Sequence, residues 1–379
     1  MIKRQIFDLL LDSLLPERAT ILYGPRRTGK TTILEQIKEH YIKMKKAVKF
    51  VDGEDVFIQK TLSSGSLNVL TNFLKNIDLL IIDEAQKIEN IGSNIKLMVD
   101  HFKNLKIIAS GSASFELAQK VGEPLTGRKR TFHLYPFSLR ELIDEMGYEN
   151  HLSLTFNQMM IYGSYPKTVE LNDEEKQIYL KELTEAYLYR DILELEDIKN
   201  SKKLHDLLTL LAYQIGNEVS HSELGSQLGL HKDTVARYLD LLEKSFVIFN
   251  IRGFSRNLRK EITKTSRYYF YDNGIRNAII RNFNPLELRN DSGALWENFL
   301  VMERIKKQNY ENILSNNYFW RTYDQKEIDW VEEHSGKLFG YEFKYGSGKE
   351  RKSTKNEWLK TYDNASYQVI NQENYLDFI

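Results

Sequence analysis

The stretch Gly24-Pro25-Arg26-Arg27-Thr28-Gly29-Lys30-Thr31 constrains this chain more than any other. It fits the spacing G-x-x-x-x-G-K-[ST], in which backbone amides cradle phosphates. Its flanks agree with that reading. Ala19–Tyr23 reads as a buried strand and Thr32–Met44 as a helix, the strand–loop–helix context the spacing needs. Gly24 and Gly29 let the loop turn tightly so that successive N–H groups face inward. The following helix adds its free N-terminal amides and the positive end of its dipole. The expected phosphate-contacting set is Gly24, Pro25, Arg26, Arg27, Thr28, Gly29, Lys30, Thr31 and Thr32. Lys30 is expected on the β- and γ-phosphates, and Thr31 on Mg²⁺.

A second element belongs with the first. Leu79-Leu80-Ile81-Ile82 is an apolar run ending in Asp83-Glu84. Acids at the carboxyl end of a buried parallel strand stand where ligands bind in such sheets. Asp83 can hold Mg²⁺ directly or through water, and Glu84 can orient or deprotonate the attacking water. Ser110, ending the run Lys106–Ser110, either contacts the γ-phosphate or lytic water or caps the next turn. Arg128 and Arg130 are either transition-state cations or part of a solvated basic loop. ATP is expected over GTP, since no guanine-reading motif is present.

The rest of the chain bounds the setting. At 379 residues it has room for two or three domains. Without cysteine it has no disulfide, thiolate zinc site or cysteine nucleophile. Lys plus Arg equals Asp plus Glu at 53 each, so any nucleic-acid role must rest on local charge. Met1–Leu15 reads as an amphipathic helix and not a signal peptide, and no run is long and apolar enough to span a membrane. A cytoplasmic location is the default expectation. The oligomeric state is open.

Pattern divides the chain into residues 1–150, alternating buried strands and helices; 151–200, helical and acidic; 201–275, helices followed by aromatic strands; and 276–379, a long helix, three strands, a helix and a strand. The acidic stretch Glu170–Asp197 carries net −7 and reads as a solvated helix face. In the third part, Val219–Leu230 and His231–Leu242 read as two helices joined by a turn containing Gly229, the spacing of a helix-turn-helix. Leu224, Leu228, Val235, Leu239 and Leu242 form its inner face. Lys232, Thr234 and Arg237 point outward, types suited to phosphates and base edges. Arg252–Arg267 carries net +5 and suits a wing on a nucleic-acid backbone. A protein-binding or intramolecular module fits as well, because Asp233, Asp240 and Glu243 share the second helix.

In the last part, Glu327–Val331 and Tyr341–Lys344 read as two arms of a hairpin turning at Ser335-Gly336. That register puts Asp329 opposite Glu342, with Glu327 and Lys344 on the same face. Asp329 and Glu342 can bind Mg²⁺ and, with Lys344, activate water against a phosphodiester. Salt-bridged charges on a surface hairpin would look similar.

Taken together, the chain resembles bacterial and archaeal AAA-type P-loop ATPases that carry a C-terminal region of unknown function. The resemblance rests on Gly24–Thr32, Leu79–Gln86, Ser110-Gly111-Ser112, Leu125–Arg128, Pro136-Phe137-Ser138 with Glu141, and Tyr162–Pro166. It continues through Thr234–Glu243, Tyr269–Gly274, Glu297, Glu327–Val331 and Glu342–Lys344. Ser164 departs from it, standing where the pattern more often has a second glycine. The resemblance implies an α/β P-loop NTPase core with a parallel sheet, a helical and winged-helix region, and a C-terminal α/β restriction-endonuclease-like domain. It also implies that Glu297 adds a third acid to Asp329 and Glu342. The expected function is Mg²⁺-dependent ATP hydrolysis controlling a DNA- or partner-binding C-terminal half. The alternatives are an ATP-regulated metal-dependent nuclease and a nucleotide-gated protein switch without nucleic acid.

Overall fold

The computed structural model describes residues 2–112, 125–146, 148–186, 201–255, 266–322, 324–346 and 351–379. The chain forms two compact units. The first comprises Met1–Phe137 with Tyr165–Lys167 and Lys244–Phe246, and the second takes the remainder from Ser138 onward.

The first unit is built on five parallel strands: β1 (Ala19–Tyr23), β2 (Val48–Asp52), β3 (Leu79–Asp83), β4 (Lys106–Gly111) and β5 (Lys129–His133). Their order is β2-β3-β4-β1-β5. Strands β1 and β3 are buried at every position, which explains why they read as unbroken apolar runs. Each fully buried Ile or Leu there stabilises the unit by roughly 1.5–3 kcal/mol relative to exposure. Helices α1 (Ile6–Ser13), α2 (Lys30–Lys43), α3 (Val56–Leu62), α4 (Leu67–Phe73) and α5 (Ile91–His101) connect and cover the sheet. The amphipathic reading of the first residues holds for α1, which buries Ile6 and Leu10. Registers such as Tyr23↔Gly111, Tyr23↔His133 and Asp52↔Asp83 bring the carboxyl ends level along one edge.

Strand β5 was not expected from the sequence. Lys-Arg-Thr-Phe-His has one buried residue, Phe132, because it lies at the sheet edge, and a charged edge strand carries little apolar signal. This placement sets Arg128 and Arg130 apart from the phosphate loop of their own chain. Arg128 accepts from the Ala19 amide and Arg130 pairs with Thr20, so both lie at the amino end of β1. The phosphate loop leaves the other end. Arg128 is ion-paired with Asp100 instead. Neither arginine reaches the loop of its own chain.

The second unit opens with helices α6 (Leu139–Met146), α7 (Tyr148–Tyr162) and α8 (Asp173–Ala186). Then come α9 (Ser201–Tyr213), β6 (Glu218–Val219), α10 (His221–Leu228), α11 (Lys232–Lys244), β7 (Ile248–Gly253) and β8 (Ser266–Phe270). Helices α12 (Asn273–Ile279) and α13 (Ser292–Tyr310) lead into β9 (Asn316–Arg321), β10 (Glu327–His334), β11 (Lys337–Phe343), α14 (Lys352–Thr361), β12 (Ala365–Ile370) and α15 (Tyr375–Phe378). The expected inner face of α10 and α11 is buried throughout. The hairpin has the expected register, with Trp330↔Tyr341 and His334↔Lys337 paired around Ser335 and Gly336 at φ 52° and 73°. Positive φ at both turn residues matches the twist of the flanking strands.

The sequence reading separated residues 201–275 from 276–379. The structure instead runs β6, β7 and β8 into one seven-stranded sheet of order β12-β11-β10-β9-β7-β8-β6. The join is a short parallel pairing, Arg252↔Tyr318 and Gly253↔Phe319. A core of Phe254, Trp320, Ile328, Val331, Leu338, Trp358 and Tyr362 packs beside it.

Two of the sequence motifs turn out to meet in one clamp. Asp272 caps α12 by accepting from the Gly274 and Ile275 amides, and it also accepts from the Ser164 amide at 2.7 Å. Gly163 has φ +69°, and a Cβ there would lie 1.8 Å from Asp272 Oδ1. This close approach requires glycine at 163, while Ser164 contributes only its backbone to the Asp272 contact.

Candidate functional site

The loop after β1 carries its glycine for a geometric reason. A Cβ on Gly24 would lie 2.2 Å from the Leu134 carbonyl oxygen, so any side chain there would push the loop off the end of β5. Gly29 adopts φ +93° and hands the chain to α2. Lys30 is buried, and its ammonium donates to the Gly24 and Pro25 carbonyls at 2.9 and 2.8 Å. Thr28 is buried and closes the turn by donating to the Pro25 carbonyl at 2.9 Å.

One support for the loop was missed by sequence reading. Arg4, in the segment before α1, is buried and donates to the Thr28 carbonyl at 2.9 Å and the Tyr135 carbonyl at 2.6 Å. Its guanidinium lies 4.6 Å from the centre of the Phe137 ring. An arginine this far before the loop has no motif to announce it.

The expected metal-side residues converge. Thr31 Oγ1 donates to Asp83 Oδ2 at 2.5 Å, and Ser110 Oγ donates to Asp83 Oδ1. A hydroxyl and a carboxylate at the mouth of the loop are the hard oxygen ligands that Mg²⁺ takes. Glu84 follows in a left-handed turn at φ 48°, its amide donating to Asp83 Oδ1 at 3.1 Å and Ser110 Oγ at 3.3 Å. Its carboxylate accepts from Gln86 Nε2 at 2.5 Å, and the same nitrogen donates to Ser112 Oγ at 3.0 Å. Gln86 and Ser112 therefore hold the acid that sequence reading assigned to water activation. Gly53, just past β2, backs the same turn: a Cβ there would lie 2.3 Å from the Glu84 carbonyl oxygen.

The C-terminal acids do not assemble in the same way. Glu327 and Asp329 lie around Arg267 of β8, at 2.9 and 3.7 Å from its guanidinium nitrogens, with Glu297 of α13 at 3.8 Å. Glu342 is ion-paired with Lys344 at 2.5 Å and Arg351 at 3.4 Å, and it accepts from the Tyr367 hydroxyl. Among the described residues no group of three acids or histidines is placed to hold a metal ion. Glu297, Asp329 and Glu342 thus fail the fit expected of a metal set. Arg267 is also corrected. It is 4% exposed, so it is not part of a surface for a nucleic-acid backbone. Arg252 is exposed, while Arg256, Arg259, Lys260 and Lys264 lie outside the described residues. On α11, Lys232 and Arg237 are exposed and Thr234 is half-buried.

The first unit thus has the parallel sheet and phosphate-loop geometry of a P-loop NTPase fold. Residues 16–143 match the family model described as "AAA domain". Residues 153–286 and 292–377 match models described as "Domain of unknown function (DUF8612)" and "Domain of unknown function (DUF4143)". "Uncharacterized protein MJ1544" of Methanocaldococcus jannaschii is 24% identical over 338 residues, spanning 84% of this chain and 73% of that protein. "Uncharacterized protein Rv2008c" of Mycobacterium tuberculosis is 25% identical over 328 residues, spanning 86% and 69%. Among solved structures, the replication initiator DnaA bound to AMPPCP and single-stranded DNA is 16% identical at a TM-score of 0.35, covering 63% of this chain and 86% of that one. The Pif1 helicase of Candida albicans is 13% identical at 0.28, covering 45% and 46%. Both likenesses are too loose to say what this chain binds. Among the described residues no helix is long and apolar enough to cross a membrane.

Proposed function

We propose that the chain binds ATP on loop 24–32 and hydrolyses it with Mg²⁺ held by Thr31 and Asp83. The observation that carries this reading is the chain of contacts Thr31–Asp83–Ser110 and Glu84–Gln86–Ser112 across the carboxyl ends of β3 and β4. Mg²⁺ supplies charge neutralisation on the phosphates. Lys30 stabilises charge on the β- and γ-phosphates, and the loop amides orient them. Glu84 positions the attacking water and accepts its proton, with Gln86 fixing the carboxylate plane. Ser110 orders the Asp83 side of the site.

The output of this cycle is a DNA- or partner-binding activity of the C-terminal half. The order helix, strand, two helices and a two-stranded hairpin from α9 to β8 suits a winged helix, with β6 and β7 both paired to β8. Lys232 and Arg237 on the exposed side of α11, with Arg252 on β7, favour a phosphate backbone as the partner. Fluorescence anisotropy of labelled duplex and single-stranded DNA with Glu84→Gln protein tests this. Affinity should differ between ATP·Mg and ADP and should fall in Lys232→Ala/Arg237→Ala. DNA affinity indifferent to nucleotide, salt and both substitutions would reject DNA and leave a protein partner.

A further inference from the structure

The fold implied for the C-terminal residues carries a divalent metal on its acidic face, and the donor set here does not suit one. We propose that Arg267 is the resident cation of that face. Its guanidinium stands between the acids where hydrolysis would need a metal, making the face an ion-pair core that fastens β8 to α13 and β10.

The geometry carries the argument. One guanidinium reaches Glu327 of β10 at 2.9 Å, Asp329 of β10 at 3.7 Å and Glu297 of α13 at 3.8 Å. It has little freedom to leave. Arg267 is 4% exposed, and its guanidinium carbon lies 4.5 Å from the centre of the Phe319 ring, which stacks against it.

Asp329 and Glu297 also accept from donors other than Arg267. Asp329 Oδ2 accepts from the Phe343 amide at 2.8 Å, and Glu297 Oε1 accepts from the Tyr269 hydroxyl at 2.7 Å. Glu342, which a metal would need beside Asp329, is tied to Lys344, Arg351 and Tyr367. A Mg²⁺ ion demands near-octahedral oxygen at about 2.0–2.1 Å, and these oxygens face N–H and O–H donors.

This inference is independent of the ATPase reading, and its test omits nucleotide. Melting of full-length protein is followed in EDTA and in millimolar MnCl₂. For wild type the curves should coincide to within ~1 °C, since a ligand that does not bind confers no stability. Arg267→Met should melt several degrees lower. Arg267→Met/Glu327→Gln, which removes one stranded acid along with the cation, should melt above the single variant. A Mn²⁺-dependent rise in wild type, lost in Asp329→Asn and kept in Asp83→Asn, would overturn the proposal. So would plasmid cleavage abolished by Asp329→Asn. If Arg267→Met does not fold, a double variant that folds supports the ion-pair core, and a double variant no better than the single overturns it.

Discussion

Replacing Gly53 by alanine adds a single carbon and strikes the turn that carries Glu84, the acid proposed to act on water. The new Cβ would lie 2.3 Å from the Glu84 carbonyl oxygen, 2.9 Å from its carbonyl carbon and 3.1 Å from the Asp83 oxygen. Restoring an ordinary contact of 3.4 Å requires a shift of about 1 Å, the difference between 3.4 and 2.3. Gly53 cannot simply retreat: its amide donates to the Asp83 carbonyl at 2.8 Å, and its carbonyl accepts from Gln59 at 2.8 Å. The turn bearing Glu84 must move instead. A displacement of about 1 Å at a reacting group costs on the order of 100-fold in rate. The overpacking itself costs about 1–3 kcal/mol of stability. The assay pairs steady-state phosphate release with equilibrium binding of a fluorescent ATP analogue. Gly53→Ala should lose about 100-fold in kcat while Kd changes little, because the phosphate loop is not touched. Gly293→Ala is the control, since a Cβ there meets nothing within 4 Å. A folded Gly53→Ala protein with wild-type kcat would refute the reasoning, as would a loss confined to Kd.

Arg4→Ala should weaken ATP binding by about tenfold and lower stability by roughly 2–4 kcal/mol, since two charge-assisted bonds to carbonyls are lost; isothermal titration and urea melts read both. Gln86→Leu should reduce single-turnover hydrolysis by about 10–100-fold with nucleotide affinity retained, the rate equivalent of one hydrogen bond to a charged group. Burial pushes the Asp272 carboxyl up to about 6, against the stabilising pull of the Ser164 amide. A raised folded pKa means the folded state binds the proton more tightly, so this contribution is full below the unfolded value of 3.8 and is lost as pH rises through about 6. That amounts to about 2 kcal/mol between pH 4 and 7. Urea melts should therefore show a shallower pH slope in Asp272→Asn than in wild type, and equal slopes would contradict the assignment.

How much of this was legible depends on whether the signal was local. The loop 24–31, the acids after Leu79–Ile82 and the Ser335-Gly336 hairpin each announce themselves within a dozen residues, because spacing and side-chain period determine them. The hairpin register followed from the turn alone. Strand β5 was missed because an edge strand buries only one side chain. Arg4, Gly53 and Gln86 were missed for another reason. Their roles arise from contacts across the fold, Arg4 with Tyr135 and Gly53 with Glu84, and nothing beside them in sequence marks those partners. Arg267 was misread in the opposite sense. Composition placed it in a basic stretch, but strand alternation turns it inward, onto acids 30 to 62 residues further along the chain.

The central claim is that Glu84 acts on water at a site whose nucleotide is held by loop 24–32. Radiolabelled ATP hydrolysis and ATP binding, measured side by side in wild type, Lys30→Ala and Glu84→Gln with Mg²⁺, test it most directly. The account predicts that Lys30→Ala abolishes both, and that Glu84→Gln keeps wild-type affinity while turnover falls by about 100-fold or more. Turnover at the wild-type rate in Glu84→Gln would contradict it.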